Sequence, residues 1–298
     1  MQACLRVPTD NVTPLELRAC DGVRLAVDCR GDVHDPALVF AHGFGQTRRA
    51  WADTAAAFAQ QGWYCLSADA RGHGDSGWRD DGAYEFAQFV NDLLLLARQP
   101  AQAPILIGAS MGGLLGLIAQ AEHALFRALV LVDITPRWEA AGVERILNFM
   151  RAHPQGFATL EEAAEAIARY LPHRTQRKSP DRLRRMLVAH PDGRLRWHWD
   201  PRLLESIATD SEQQQARLLD AARRIRVPTL LISGEHSDIV SSSTIAEFLH
   251  CIPHAAHVRV ARATHMVVGD RNDAFAAAVE NFIQPLRESA SSIPRSTS

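Results

Sequence analysis

Six short apolar runs, at residues 37–41, 63–68, 104–108, 128–133, 227–233 and 257–261, recur along the chain, with helix-period stretches at 49–60, 84–98, 111–121, 242–250 and 271–284 between and after them. The runs show no clean apolar–polar alternation, which is the pattern of strands buried on both faces of a parallel sheet. Strand and helix alternating in this way specify a doubly wound α/β domain. Ahead of them, residues 15–20 and 23–30 do alternate around Asp21-Gly22, a pair suited to a tight hairpin turn, so an antiparallel hairpin opens the sheet. The alternation lapses only between Pro136 and about Arg224, where helical patterns at 143–152, 160–170 and 180–189 replace it and no convincing strand is found. The expected organisation is a core of residues 1–135 and 225–287, a helical lid of residues 136–224, and a frayed, serine-rich tail at 288–298 after a last helix stopped by Pro285.

A chain of 298 residues with 47% hydrophobic and 22% charged residues can bury a sizeable core. Its formal charge of −2 gives no electrostatic pull towards nucleic acid or anionic lipid, which leaves small molecules as the expected partners. No secretory pattern is visible in the first thirty residues, and no apolar run reaches membrane-spanning length. Five scattered cysteines without C-x-x-C spacing suit neither a disulfide framework nor a zinc knuckle, so a reduced, cytoplasmic location is expected. His250, His254 and His257 straddle a helix end and a strand start with Pro253 between, a poor arrangement for a metal.

The chemistry concentrates at Gly108-Ala109-Ser110-Met111-Gly112-Gly113, between a strand and an apolar helix. A serine on such a sharp turn is strained, and small residues two positions to either side let strand and helix approach closely. A serine hydroxyl needs a base within reach and a group to orient that base. Asp238, in the loop after the 227–233 run, and His265, in the loop after the 257–261 run, supply both in the order Ser, Asp, His.

With His42-Gly43-Phe44-Gly45 and Asp69-Ala70-Arg71-Gly72-His73-Gly74-Asp75-Ser76-Gly77 in place, the chain resembles the α/β-hydrolase family over nearly its whole length. The combination of His-Gly-Phe with Ser-Met-Gly-Gly is most similar to bacterial arylesterases and cofactor-free perhydrolases. The resemblance implies a mostly parallel eight-stranded sheet flanked by helices, with an inserted cap. It also implies Ser110 as nucleophile, His265 as base and acid, Asp238 as orienting carboxylate, and the backbone N–H groups of Phe44 and Met111 as an oxyanion hole. Asp133, at the end of the 128–133 run, is the alternative carboxylate because some members of the family place it there, although Asp133-Ile134-Thr135-Pro136 also reads as a plain exit into the lid. Thr264 departs from the glycine common before the histidine. His42 and His73 are expected to position loops.

The expected activity is therefore that of a serine carboxylesterase acting through an acyl-enzyme on a small, largely apolar acyl compound, with neither cofactor nor metal. A homodimer is left open. The rival activities are carbon–carbon bond hydrolysis or cofactor-free oxygenase or perhydrolase chemistry on the same fold, and slow-turnover ligand sensing. Trp138, Phe149, Trp197 and Trp199 of the lid and Met266 beside the histidine are the candidate substrate contacts, while Arg48 and Arg49 read as solvated helix-start residues.

Overall fold

The structure, a computed structural model, describes residues 11–171, 183–184, 186–208, 211–270 and 272–291. Strands β1 (Thr13–Arg18), β2 (Arg24–Arg30), β3 (Ala37–Ala41), β4 (Tyr64–Ala68), β5 (Ile105–Ala109), β6 (Ala128–Val132), β9 (Thr229–Gly234) and β10 (Ala256–Val260) form one sheet in the order β1-β2-β4-β3-β5-β6-β9-β10. β1 and β2 pair antiparallel, as do β2 and β4, and the remaining pairs are parallel. This is the α/β-hydrolase fold, and its sheet carries an apolar core on each face.

The missing alternation has a direct cause. Leu38 and Phe40 of β3, Ile105 and Ile107 of β5, and Leu230 and Ile232 of β9 face one core, where helices α1 (Ala52–Gln60) and α10 (Asn272–Ser291) contribute Phe58, Phe275 and Val279. Val39, Leu106 and Leu231 face the other core, where α2 (Phe86–Ala97) and α3 (Met111–His123) contribute Phe89, Leu93 and Leu117. With both faces dry, β3, β5 and β6 are apolar at every position and β9 departs only at Thr229 and Ser233.

Between β6 and β9 lie α4 (Ala140–Arg151), α5 (Leu160–Tyr170), a hairpin of β7 (Leu187–Ala189) and β8 (Leu195–Trp197), α6 (Leu203–Ala208) and α7 (Ser211–Arg224). The hairpin corrects the expectation of a strandless segment: residues 187–189 of the expected helix at 180–189 pair with β8, and part of that helix falls outside the described residues. Three-residue strands are too short to leave a periodic signal. α7 packs on α3 and buries Leu218, Ala221 and Ala222 in the same core as the sheet helices.

Pro285 does not stop the last helix, which runs on to Ser291. Tertiary contacts outweigh the lost hydrogen bond: Leu286 packs on the core, its carbonyl accepts from Arg127 at 3.2 Å, and Arg287 donates to the Gln61 carbonyl at 2.5 Å. Residues 288–291 of the expected tail are thus helical, and 292–298 lie outside the described residues.

The strand order reverses between β3 and β5. β3 is followed by β4 on one side and β5 on the other, so the loops after β3 and β5 diverge and leave a crevice at the carboxyl edge of the sheet. His42 to Gly45 and Ser110 occupy those two loops.

Candidate active site

Ser110 adopts φ 47° and ψ −118°, a left-handed conformation that a non-glycine residue holds only when its surroundings enforce it. The enforcement is visible. Its N–H donates to the Val132 carbonyl at 3.0 Å, and its carbonyl accepts from Gly113 at 2.9 Å. A Cβ on Gly112 would stand 2.3 Å from the Ala41 carbonyl oxygen, and one on Gly108 would stand 2.6 Å from that of Gly112, so only glycine lets α3 close on β3 and β5. The Ser110 side chain is left at the rim of a cavity of about 580 Å³.

His265 follows β10, and its Nδ1 is 2.8 Å from Oδ2 of Asp133. The structure therefore joins His265 to Asp133 and not to Asp238, which corrects the carboxylate expected from sequence. Asp133 is fully buried, takes φ 50° immediately after β6, and has both oxygens engaged. Gly234 N–H donates to Oδ1 at 2.7 Å, and the Ser237 hydroxyl donates to Oδ2 at 2.6 Å. Asp238, by contrast, forms an ion pair with Arg145 of α4, and its backbone carbonyl lies against Gly142 of the same helix. Ser237, which sequence reasoning passed over, is the member of that loop that reaches Asp133. Thr264 accepts the Met266 N–H at 3.2 Å through its hydroxyl, so the residue standing in place of glycine braces the histidine turn.

The Phe44 and Met111 N–H groups take no acceptor among the described residues. Their loop is set by histidines. Ala70 N–H donates to Nε2 of His42 at 2.9 Å, so the His42 proton sits on Nδ1 and is donated to the Gly43 carbonyl at 2.8 Å. Gly45 N–H likewise donates to Nε2 of His73 at 3.1 Å, and His73 Nδ1 donates to the Arg71 carbonyl at 3.0 Å. Both rings must be neutral to do this. Burial pushes the pKa of His42 down, and burial with His42 alongside pushes that of His73 well down.

His198 joins the pair from the inserted segment, accepting the Gly74 N–H at 3.3 Å, and burial with His42 nearby lowers its pKa to about 4. A buried neutral histidine favours the unfolded state in acid, because only the unfolded chain takes up the proton once the pH drops below about 6.5. Stability is expected to be undiminished above pH 6.5 and to fall towards pH 4, His198 alone accounting for about 3 kcal/mol. Chemical denaturation at several pH values checks this, with His198→Gln expected to flatten the slope.

The expected substrate contacts divide. Trp138 lines the cavity, together with Val143, Ile146 and Leu147 of α4. Phe149 instead stacks on Tyr170 at 4.2 Å, and Trp197 meets Phe157 edge-on at 5.1 Å, so both belong to an aromatic cluster of the inserted segment. Trp199 is buried against the Phe44 ring, with centroids 5.6 Å apart, and Met266 receives the Gln46 side-chain N–H at its sulfur. None of these four lines the cavity. Arg48 is not solvated but is paired with Asp28, Asp69 and Asp75. His257 bonds Ser233 and His254 the Val227 carbonyl, and no cluster able to hold a metal occurs among the described residues.

Residues 32–272 match the Hydrolase_4 family, described as serine aminopeptidase, S33. The chain belongs to this α/β-hydrolase family. Among its relatives, a 3-hydroxybutyrate-oligomer hydrolase of Cupriavidus necator is 29% identical over 258 residues, covering 81% of this chain and 87% of that protein. The sn-1-specific diacylglycerol lipase ABHD11 of Mus musculus is 30% identical over 273 residues, covering 85% and 82%. The crystal structure of an α/β hydrolase from Novosphingobium aromaticivorans superposes with a TM-score of 0.77 at 26% identity, covering 92% of this chain and 98% of that one. The chain is thus a serine-hydrolase-type α/β hydrolase. Among the described residues no helix is long and apolar enough to cross a membrane.

Proposed function

We propose that the protein hydrolyses a carboxylic ester of a small, largely apolar substrate, with Ser110, His265 and Asp133 as the catalytic triad. The observation that carries this reading is the 2.8 Å contact between His265 Nδ1 and the buried Asp133 carboxylate, at the edge of the sheet where the strained Ser110 turn stands. Nδ1 held in this way keeps its proton, and the ring's other nitrogen is left to act as base.

Ser110 Oγ attacks the ester carbonyl carbon as His265 Nε2 takes the hydroxyl proton. Asp133 stabilises the imidazolium without being protonated itself. The oxyanion accepts from the Phe44 and Met111 N–H groups, which are fixed before the charge develops. The tetrahedral adduct collapses, the alcohol leaves with the proton from His265, and the Ser110 acyl ester remains. Water, deprotonated by His265, then releases the acid and restores Ser110.

The apolar walls contributed by Trp138, Val143, Ile146 and Leu147 favour a hydrophobic acyl or alcohol limb, with residues from the segment between β6 and β9 acting as the lid. Relatives named as a hydrolase of 3-hydroxybutyrate oligomers and a diacylglycerol lipase support an ester as the scissile group. The test is covalent labelling with a fluorophosphonate. The expected result is stoichiometric modification of Ser110, located by peptide mass spectrometry and absent in Ser110→Ala; a folded wild-type protein that resists the probe, or label on another residue, overturns the reading.

A further inference from the structure

The wall of the cavity beside Ser110 carries the nucleophile and the residues of the oxyanion donors, but not the base. Ser110, Phe44 and Met111 belong to it, and from there it continues along α3, α4 and α7 through Leu115, Ile146 and Leu218. Neither His265 nor Met266 nor Gln46 forms part of it. Those three residues stand together instead, because the sulfur of Met266, next in sequence to His265, receives the Gln46 side-chain N–H at 3.2 Å.

The tetrahedral adduct of an ester has four substituents on one carbon, and three of them have assigned places. One is Ser110 Oγ. The oxyanion turns to the Phe44 and Met111 N–H groups. The leaving oxygen must come within hydrogen-bond reach of His265 Nε2 to collect its proton, so the alcohol limb starts on the histidine side. The fourth substituent is the acyl chain, and a cavity that adjoins the nucleophile and the oxyanion donors without the histidine is the space left for it. Charge enters its wall only at Glu85, which is exposed, and at Arg217, which is 38% exposed and paired with Glu122. The wall between them and Ser110 is mostly apolar. At about 580 Å³ the cavity is within the range that takes a drug-sized ligand, far more than an acetyl group needs.

We propose that this cavity is the acyl subsite, that the substrates are esters of medium- to long-chain apolar acids, and that the alcohol limb lies outside it and is not selected for length. The proposal rests on the ester-hydrolase reading above and narrows it to one limb. The alcohol then leaves on the histidine side with the proton from His265, water enters by the same side, and the acyl chain stays in the cavity through both halves of the reaction. Burial of that chain favours acylation and holds the acyl-enzyme in place for the water.

The experiment measures kcat/KM along two series, ethyl esters lengthened in the acid from acetate to dodecanoate and acetates lengthened in the alcohol from ethyl to dodecyl. In wild type the acid series is expected to rise by about fourfold for each methylene that enters the cavity, and the alcohol series to stay within a few-fold throughout. Ile146→Trp, which fills part of the cavity, is expected to cut the advantage of the long-chain acid esters over the acetate by about tenfold and to leave the alcohol series flat. An acid series that is flat, an alcohol series that rises as steeply as the acid series, or an Ile146→Trp variant with the wild-type dependence on acid length overturns the proposal. Should the variant fail to fold, straight-chain alkylboronic acids decide the matter with wild type alone. Their boron bonds to the serine oxygen with the alkyl group in the place of the acyl chain, so inhibition is expected to tighten with chain length, and equal inhibition across the series overturns the assignment. Ser110→Ala separates the two levels. Full esterase activity in that variant removes the ester reading itself, whereas an inactive Ser110→Ala beside a wild type that selects the alcohol limb removes the acyl assignment alone.

Discussion

Asp133→Asn is expected to lower kcat by about 10⁴-fold, with KM little changed, whereas Asp238→Asn is expected to stay within a few-fold of wild type. The size of the first effect follows from the tautomer. A carboxylate at position 133 can only accept from His265 Nδ1, so the proton is held there and Nε2 is free to receive the Ser110 proton. An amide can present its NH₂ instead, because the Gly234 N–H demands the amide oxygen at the Oδ1 position and so leaves the nitrogen facing His265. The imidazole then rests in the wrong tautomer, and the imidazolium of the transition state faces no charge. Asp238 pairs with Arg145 at the edge of α4 and meets none of these requirements. Steady-state kinetics on the two variants check this assignment, and equal loss in both, or loss in Asp238→Asn alone, sinks it.

The two aspartates also show how far the sequence can be read. Each stands in a loop after a buried strand, and the one local feature that ranks Asp238 first, the reading of Asp133-Ile134-Thr135-Pro136 as a plain exit into the lid, says nothing about which carboxylate reaches His265. What separates them is backbone geometry at position 133, where φ 50° turns the side chain back over the sheet edge towards β9 and the histidine loop. A positive φ at a non-glycine residue leaves no mark in a sequence. Ser110 has the same property and was nevertheless legible, because its strain requires glycines at 108 and 112, and glycines can be read. The sheet was legible for a similar reason: β3, β5, β6 and β9 are buried on both faces, so composition alone reveals them. The aromatic residues of the inserted segment were a weaker guide. Phe149 and Trp197 satisfy one another and their neighbours, and the cavity is walled instead by aliphatic Val143, Ile146 and Leu147, whose spacing on α4 looks like ordinary helix packing.

The largest expected effect on stability belongs to Arg71, whose side chain is buried to 1% exposure. Its guanidinium holds Asp92 of α2 through two hydrogen bonds, of 2.6 and 2.7 Å, and reaches Asp21 of the first hairpin at 2.7 Å. Burial pushes the Asp92 carboxyl above its ordinary range even with Arg71 beside it, so the pair is retained against a desolvation cost. Arg71→Met leaves Asp92 buried and uncompensated, and a loss of about 3–5 kcal/mol is expected, lowering Tm by roughly 10 °C. Arg71→Met with Asp92→Leu removes both charges and is expected to recover most of that loss, while Asp21 keeps its 2.7 Å partner Arg79. Thermal and denaturant unfolding of the single and double variants decide it; a double variant no more stable than the single one contradicts the account. Activity should not recover with stability. The Arg71 carbonyl fixes the His73 tautomer, and His73 fixes Gly45 beside the Phe44 N–H. A double variant whose 69–77 loop has lost the tether to α2 is therefore expected to fold well and still turn over slowly, because the donors facing the developing oxyanion are no longer held in advance of the charge.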